Sequence, residues 1–333
     1  TAAELAGFEQ DISDEARIHS SFKSMFANFP PNSNPMAILS SMISARLCYN
    51  PELSLPSADH DQFASAPHKT IPEVRTIAAW SYRAAHGYTF IHHNPKLSYT
   101  GDFLHMMFTQ PNDEYKIVPE VERALDLFFT LHADHEQNCS TSTVRMVGSS
   151  RANLFSSVSA GVSALWGPLH GGANVAVIEM LENIHANGYT IDQYVEMAKD
   201  KNSDVKLMGF GHRVYKSFDP RAKILKGQVE AVLKALDVDD PLLDIARQLE
   251  EVALRDEYFV SRNLYPNVDF YSGILLRIIG IPEEMFTVLF AIGRMPGWIA
   301  NWHEMLDHGQ RISRPRQIYT GETLRDYTPM SDR

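Results

Sequence analysis

Five stretches of the chain put polar side chains in turn-rich, small-residue settings where a packed core would not call for them. In Leu131-His132-Ala133-Asp134-His135-Glu136, two histidines stand three apart and a carboxylate follows. A metal site is one reading, but the zinc-hydrolase pattern needs histidines four apart with a Glu between them. The other readings are histidines that cap or pack a helix end, and histidines that donate hydrogen bonds to an anion. In Trp166-Gly167-Pro168-Leu169-His170-Gly171-Gly172-Ala173-Asn174, His170 stands at the entrance to an amphipathic stretch. The glycines let a ligand approach the backbone closely. The positive end of the helix that follows disfavours protonation, so His170 is expected to be neutral and able to donate a hydrogen bond. A turn in which His170 merely packs is the plainer alternative.

The third stretch, Met208-Gly209-Phe210-Gly211-His212-Arg213-Val214-Tyr215-Lys216, runs on to Asp219-Pro220-Arg221. Two glycines there fall short of a dinucleotide loop, because the third is missing and no strand precedes them. A histidine on flexible backbone with Lys216 and Arg221 downstream suits an anionic or phosphate-bearing substrate, or else a turn with surface charges. The fourth, Tyr265-Pro266-Asn267-Val268-Asp269-Phe270-Tyr271-Ser272-Gly273, holds one carboxylate between apolar neighbours. Such an Asp has a raised pKa and is a better base, although by spacing alone a helix cap is the commoner role for it. The fifth is cationic: Arg294 in a Gly/Pro-rich run, and Arg314 and Arg316 around Pro315. Each alone reads as a surface charge, and several together can bind a di- or tricarboxylate bidentately.

The elements that must position these groups read as helices. Leu225, Val229, Val232, Leu233 and Leu236 share a face, as do Val177, Met180, Leu181 and Ile184, and a third stripe runs Leu242, Ile245, Ala246, Leu249, Val252, Ala253. Pro- and Gly-marked loops separate them, with no alternation of strands and helices, so a mainly α, multi-helical enzyme is expected rather than a doubly wound sheet. The 333 residues are enough for two domains. A net charge of -11 argues against a nucleic-acid surface while leaving room for buried arginines that bind small anions. Two cysteines, Cys48 and Cys139, are too few for a disulfide framework and point to a reduced, cytoplasmic compartment. No apolar run reaches membrane-spanning length; the longest, around Phe286 to Ile292, is the size of a core helix. No signal peptide opens the chain, which begins at Thr1 in sequence that already reads as helical.

Taken in order, the stretch from His132 to Arg145 and the segments around His170, His212 and Asp269 resemble the citrate synthase family, over about Asn34 to Gly321. The wording is closer to the bacterial type II enzymes, the hexameric, NADH-regulated class, whose partly β N-terminal region has no counterpart in these residues. The resemblance implies the two-domain citrate synthase fold: residues 1–172 and 281–333 as a large helical domain, and 173–280 as a small domain that closes over the site. It implies condensation of acetyl-CoA with oxaloacetate to citryl-CoA, then hydrolysis to citrate and CoA, with no cofactor and no metal. Asp269 matches the base that deprotonates the acetyl methyl group, His170 the donor to the thioester oxygen, and His212 the group that polarises the oxaloacetate carbonyl. His135, Arg221, Arg294 and Arg314 match the carboxylate binders, Arg314 coming from a neighbouring subunit, and Lys216 matches a contact to the CoA phosphates. The partners implied are the two substrates and a second copy of the chain, as a dimer within a trimer of dimers, with neither nucleic acid nor membrane. The rival readings are 2-methylcitrate synthase, which uses propionyl-CoA on the same fold, a non-catalytic CoA- or carboxylate-binding protein, and a metal hydrolase built on His132, His135 and Glu136.

Overall fold

The computed structural model describes residues 1–54, 60–215 and 217–333, and for residues 60–65 the backbone alone. Among the described residues there is no β-sheet; isolated bridges pair Gln110 with Asp113 and Phe210 with Pro266. The first group of helices is α1 (Ala2–Glu15), α2 (Ser20–Phe26), α3 (Pro35–Ala45), α4 (His60–Ala85), α5 (Tyr99–Phe108), α6 (Pro119–His132), α7 (Cys139–Gly148) and α8 (Leu154–Leu165). The second is α9 (Ala173–Asn187), α10 (Ile191–Lys199), α11 (Pro220–Leu236), α12 (Pro241–Arg255), α13 (Glu257–Val260) and α14 (Val268–Ile279), and α15 (Phe286–Asp307) closes the series.

Helix starts follow local chemistry. Asn34, Asn138, Asp219 and Asn267 each accept a backbone N–H at the first turn of α3, α7, α11 and α14, and proline occupies the first turn of α3, α6, α11 and α12, where its missing N–H costs nothing. Gly188 and Gly280 end α9 and α14 in the left-handed conformation.

The apolar stripe of α15 is buried along almost its whole length and packs on α3, α4, α6, α7 and α8. Burying each such side chain stabilises the fold by about 1.5–3 kcal/mol. In the second group α14 packs on α9 and α11, and α12 packs on α9, α10 and α13. The three sequence stripes fall where expected: Val177, Met180, Leu181, Ile184, Leu225, Val229, Val232, Leu233, Leu242, Ala246, Leu249 and Ala253 are buried, while Leu236, Ile245 and Val252 sit at the edge of the core. Helix α11 also packs on α6, bringing the second group of helices against the first. The polar segments converge near that contact. Cys48 and Cys139 are both free, and no helix among the described residues is long and apolar enough to cross a membrane.

Candidate active site

The segment ahead of α14 is laced to the glycine loop ahead of α11. Gly211 N–H donates to Tyr265 O (2.8 Å), Asn267 N–H donates to Gly209 O (2.9 Å), and the Asn267 side-chain amide donates to Gly211 O (2.9 Å). Gly209 makes this approach possible. Its φ is +78°, and a Cβ there would lie 2.6 Å from Val177 Cγ2 and 2.9 Å from Phe270 Cβ. The lacing sets His212 beside the start of α14. Asn267, two residues ahead of Asp269, is the residue that caps this helix, its Oδ1 accepting the Asp269 N–H at 3.0 Å. The capping role that spacing favours for Asp269 is therefore filled, and its carboxyl is left for other work. Burial pushes that carboxyl up to about 6, with Arg221 and Arg294 opposing the rise and Asp219 adding to it.

His170 occupies the turn before α9, half-buried. Its Nε2 receives the Ser140 backbone N–H at 3.2 Å and lies 2.8 Å from Ser140 Oγ. An Nε2 that accepts an N–H carries no proton, so the ring proton of the neutral form sits on Nδ1. Burial and then Arg294 hold the pKa of His170 down, which keeps the ring neutral. Ser140 is itself fixed by Trp298 Nε1–H (3.2 Å) and Asn138 Oδ1 (2.8 Å).

In His212 the assignment is reversed. Nδ1 accepts the N–H groups of Val214 (3.0 Å) and Tyr215 (3.2 Å), which puts the proton of the neutral ring on Nε2, 3.4 Å from Arg221 Nη2. Two donors that close together call for an acceptor between or beyond them, such as a carbonyl or carboxylate oxygen. The His135 ring is 5.2 Å from that of His212, and Tyr215 lies against both. Burial, then Arg221 and Arg294, depress His135. Arg294 is buried, donates from Nε to His132 O and lies over Phe290, and burial lowers it to about 10, still charged at neutral pH. The arrangement therefore holds one buried carboxyl with a raised pKa, a His170 kept neutral, a His212 whose Nδ1 is engaged by backbone N–H groups, and two guanidinium groups for an anion.

The structure brings His135, His170, His212, Arg221, Asp269 and Arg294 into one neighbourhood. Lys216 lies outside the described residues. Arg314 stands apart on the exposed segment after α15, one residue beyond Ser313, whose N–H donates to Ser149 Oγ. The metal-hydrolase reading meets a different arrangement. His132 is a core residue, its Nδ1 bonded to Phe128 O (2.7 Å), its ring against Phe128 and Phe290, and its pKa lowered to about 3 by burial. Glu136 is exposed, and among the described residues no group of three or more His, Cys, Asp or Glu could hold a metal ion. Two further residues join the site through partners distant in the chain, which spacing alone does not reveal: Ser140 through His170 and Asp219 through Val268.

A multi-helical protein that gathers a buried carboxyl, histidines and guanidinium groups around one site, suited to a small anionic ligand, is the class this fold and cluster define. The family model described as "Citrate synthase, C-terminal domain" matches residues 1–316. Citrate synthase 1 of Mycobacterium tuberculosis is 51% identical over 331 residues, spanning 99% of this chain and 77% of the relative. The crystal structure of citrate synthase from Pyrobaculum aerophilum superposes with a TM-score of 0.86 at 34% identity, covering 100% of this chain and 82% of that one. A second structure is the ternary complex of carboxymethyl coenzyme A and oxaloacetate with citrate synthase from Thermoplasma acidophilum. It gives a TM-score of 0.86 at 30% identity, covering 100% and 85%. The chain belongs to the citrate synthase family. It is an acyltransferase that condenses acetyl-CoA with oxaloacetate to give citrate and CoA, a step of the tricarboxylic acid cycle.

Proposed function

We propose that Asp269 is the base, and the observation that carries this reading is its raised carboxyl in the first turn of α14, uncommitted to the cap and set among Arg221, Arg294 and Asp219. The Asp269 carboxylate takes a proton from the acetyl methyl group while the His170 Nδ1–H donates to the thioester oxygen. Charge that appears only in the transition state is thus met by a donor already aimed. The enol carbon attacks the oxaloacetate keto carbon, and the developing alkoxide oxygen takes the hydrogen bond of His212 Nε2–H. Water then cleaves the citryl thioester, releasing CoA. His135, Arg221 and Arg294 hold the oxaloacetate carboxylates, and Lys216 contacts the CoA phosphates. The reaction so written uses no cofactor; acetyl-CoA is a substrate.

Residues 173–280 form the small, closing domain, and 1–172 with 281–333 the large one. Support comes from the mutual packing of α9 to α14 and from a cluster assembled where α11 meets α6. The enzyme works as a homo-oligomer, a dimer within the hexameric class, with Arg314 reaching the neighbouring site. The segment after α15 supports this: Ile318 is 90% exposed and Leu324 92%, apolar surface that a second copy would cover. Regulation by NADH belongs to the same class reading and rests on the sequence resemblance. The expected compartment is the cytoplasm.

The test is thiol release from acetyl-CoA with and without oxaloacetate, beside the same assay with propionyl-CoA. Oxaloacetate-dependent release that favours acetyl-CoA is expected. A preference for propionyl-CoA would move the reading to 2-methylcitrate formation.

A further inference from the structure

Asp219 is 1% exposed and its carboxylate is fully engaged. Oδ1 accepts Arg221 N–H (3.0 Å) and Arg221 Nε–H (3.1 Å), while Oδ2 accepts Arg221 Nη2–H (2.9 Å) and Val268 N–H (3.0 Å). Two of these bonds fix the guanidinium of Arg221, which lies 3.4 Å from His212 Nε2. The last grips the first residue of α14, immediately before Asp269. A cap for α11 needs only the bond to Arg221 N–H. The other three connect α11 to the two halves of the reaction.

We propose that Asp219 is a positioning residue that sets, through one carboxylate, both the orientation of the anion-binding Arg221 and the placement and charge environment of Asp269. This rests on the reading of Asp269 as the base. The groups acting on Asp269 are Arg221 and Asp219 from the start of α11 and Arg294 from α15; His135 beyond α6 and His170 before α9 have lowered pKa values, and His212, ahead of α11, faces the same cluster through Arg221. A buried carboxylate beside another carboxyl resists its ionisation, and a guanidinium freed of its counter-ion favours it. Removing the charge of Asp219 therefore moves the Asp269 carboxyl down on both counts.

The discriminating variant is Asp219→Asn, which keeps size and a competent helix cap but not the charge, and whose amide presents donors to Arg221 and Val268 N–H. The full-length enzyme, with Asp269→Asn in parallel, is assayed by thiol release from pH 5 to 9. Expected for Asp219→Asn are an oxaloacetate KM raised tenfold or more and an acid limb of kcat displaced to lower pH by about half a unit or more. A melting temperature close to wild type would separate this from loss of fold, and Asp219→Glu, which restores charge at a longer reach, should return part of the acid limb. If Asp219→Asn keeps the wild-type KM and acid limb while Asp269→Asn is inactive, Asp219 is only a cap and the inference fails. If Asp269→Asn is itself active, the base assignment fails first. Should Asp219→Asn not fold, the same KM and pH readouts apply to Asp219→Glu, where wild-type values of both would overturn the proposal.

Discussion

Asp269→Asn should leave the protein inactive and more stable at neutral pH. The native carboxyl sits at about 6 against 3.8 for an ordinary Asp, roughly 2 pH units, and at ~1.36 kcal/mol per unit its ionisation in the fold costs up to ~3 kcal/mol. The side chain is half-buried and Asn still buries a polar group, so about 1–2 kcal/mol is the expected gain. The sign follows from linkage. Below 3.8 the carboxyl is neutral in both folded and unfolded chains, and variant and wild type should match. Between 3.8 and about 6 the unfolded chain ionises while the folded one resists, so wild-type stability falls relative to the variant as pH rises. Above about 6 the difference is constant. Urea unfolding at pH 4, 5, 6 and 7 reads it directly. A difference that is independent of pH, or a variant less stable than wild type at pH 7, would refute the argument that burial raises this group.

Other perturbations test the frame around it. Ser140→Ala removes the hydroxyl at His170 Nε2 but keeps the backbone N–H, so kcat should fall about tenfold with the acetyl-CoA KM little changed; an unchanged kcat would free Ser140 of that role. Gly209→Ala forces a Cβ into Val177 and Phe270 at φ +78° and should displace His212, lowering kcat/KM by more than the loss of stability explains. Arg46→Met leaves Glu73, which burial raises to about 7 even with Arg46 beside it, without its buried partner between α3 and α4. A loss of about 3 kcal/mol or more in unfolding free energy is expected at pH 9, shrinking as pH falls toward 7, because without Arg46 the Glu73 carboxyl protonates above about 7, and staying constant below that.

The sequence carried the helices because apolar spacing at 3.6 residues is a local signal, and the stripes on α9, α11 and α12 are buried as read. It also marked the chemical segments, since glycines beside histidines and a lone Asp among apolar residues are unusual without a site. What spacing could not decide was which polar residue performs a local job. Asn267 and Asp269 are both competent caps two residues apart, and only the backbone path selects Asn267. Nor could it join His135, after α6, to His212, 77 positions later, because that contact depends on α11 packing against α6. Ser140 and Asp219 were invisible for the same reason. Their partners, His170 and Val268, are distant in sequence and identified only by the fold.

The central claim is that Asp269 removes a proton from the acetyl methyl group, and the direct measurement is deuterium exchange into that methyl group. Acetyl-CoA is incubated in heavy water with enzyme and a non-condensing dicarboxylate in place of oxaloacetate, and the methyl signal is followed by NMR. Wild type should exchange the methyl protons, at a rate that falls as pH drops below about 6, and Asp269→Asn should slow exchange by about 10²–10⁴-fold. Exchange in Asp269→Asn at the wild-type rate would contradict the account.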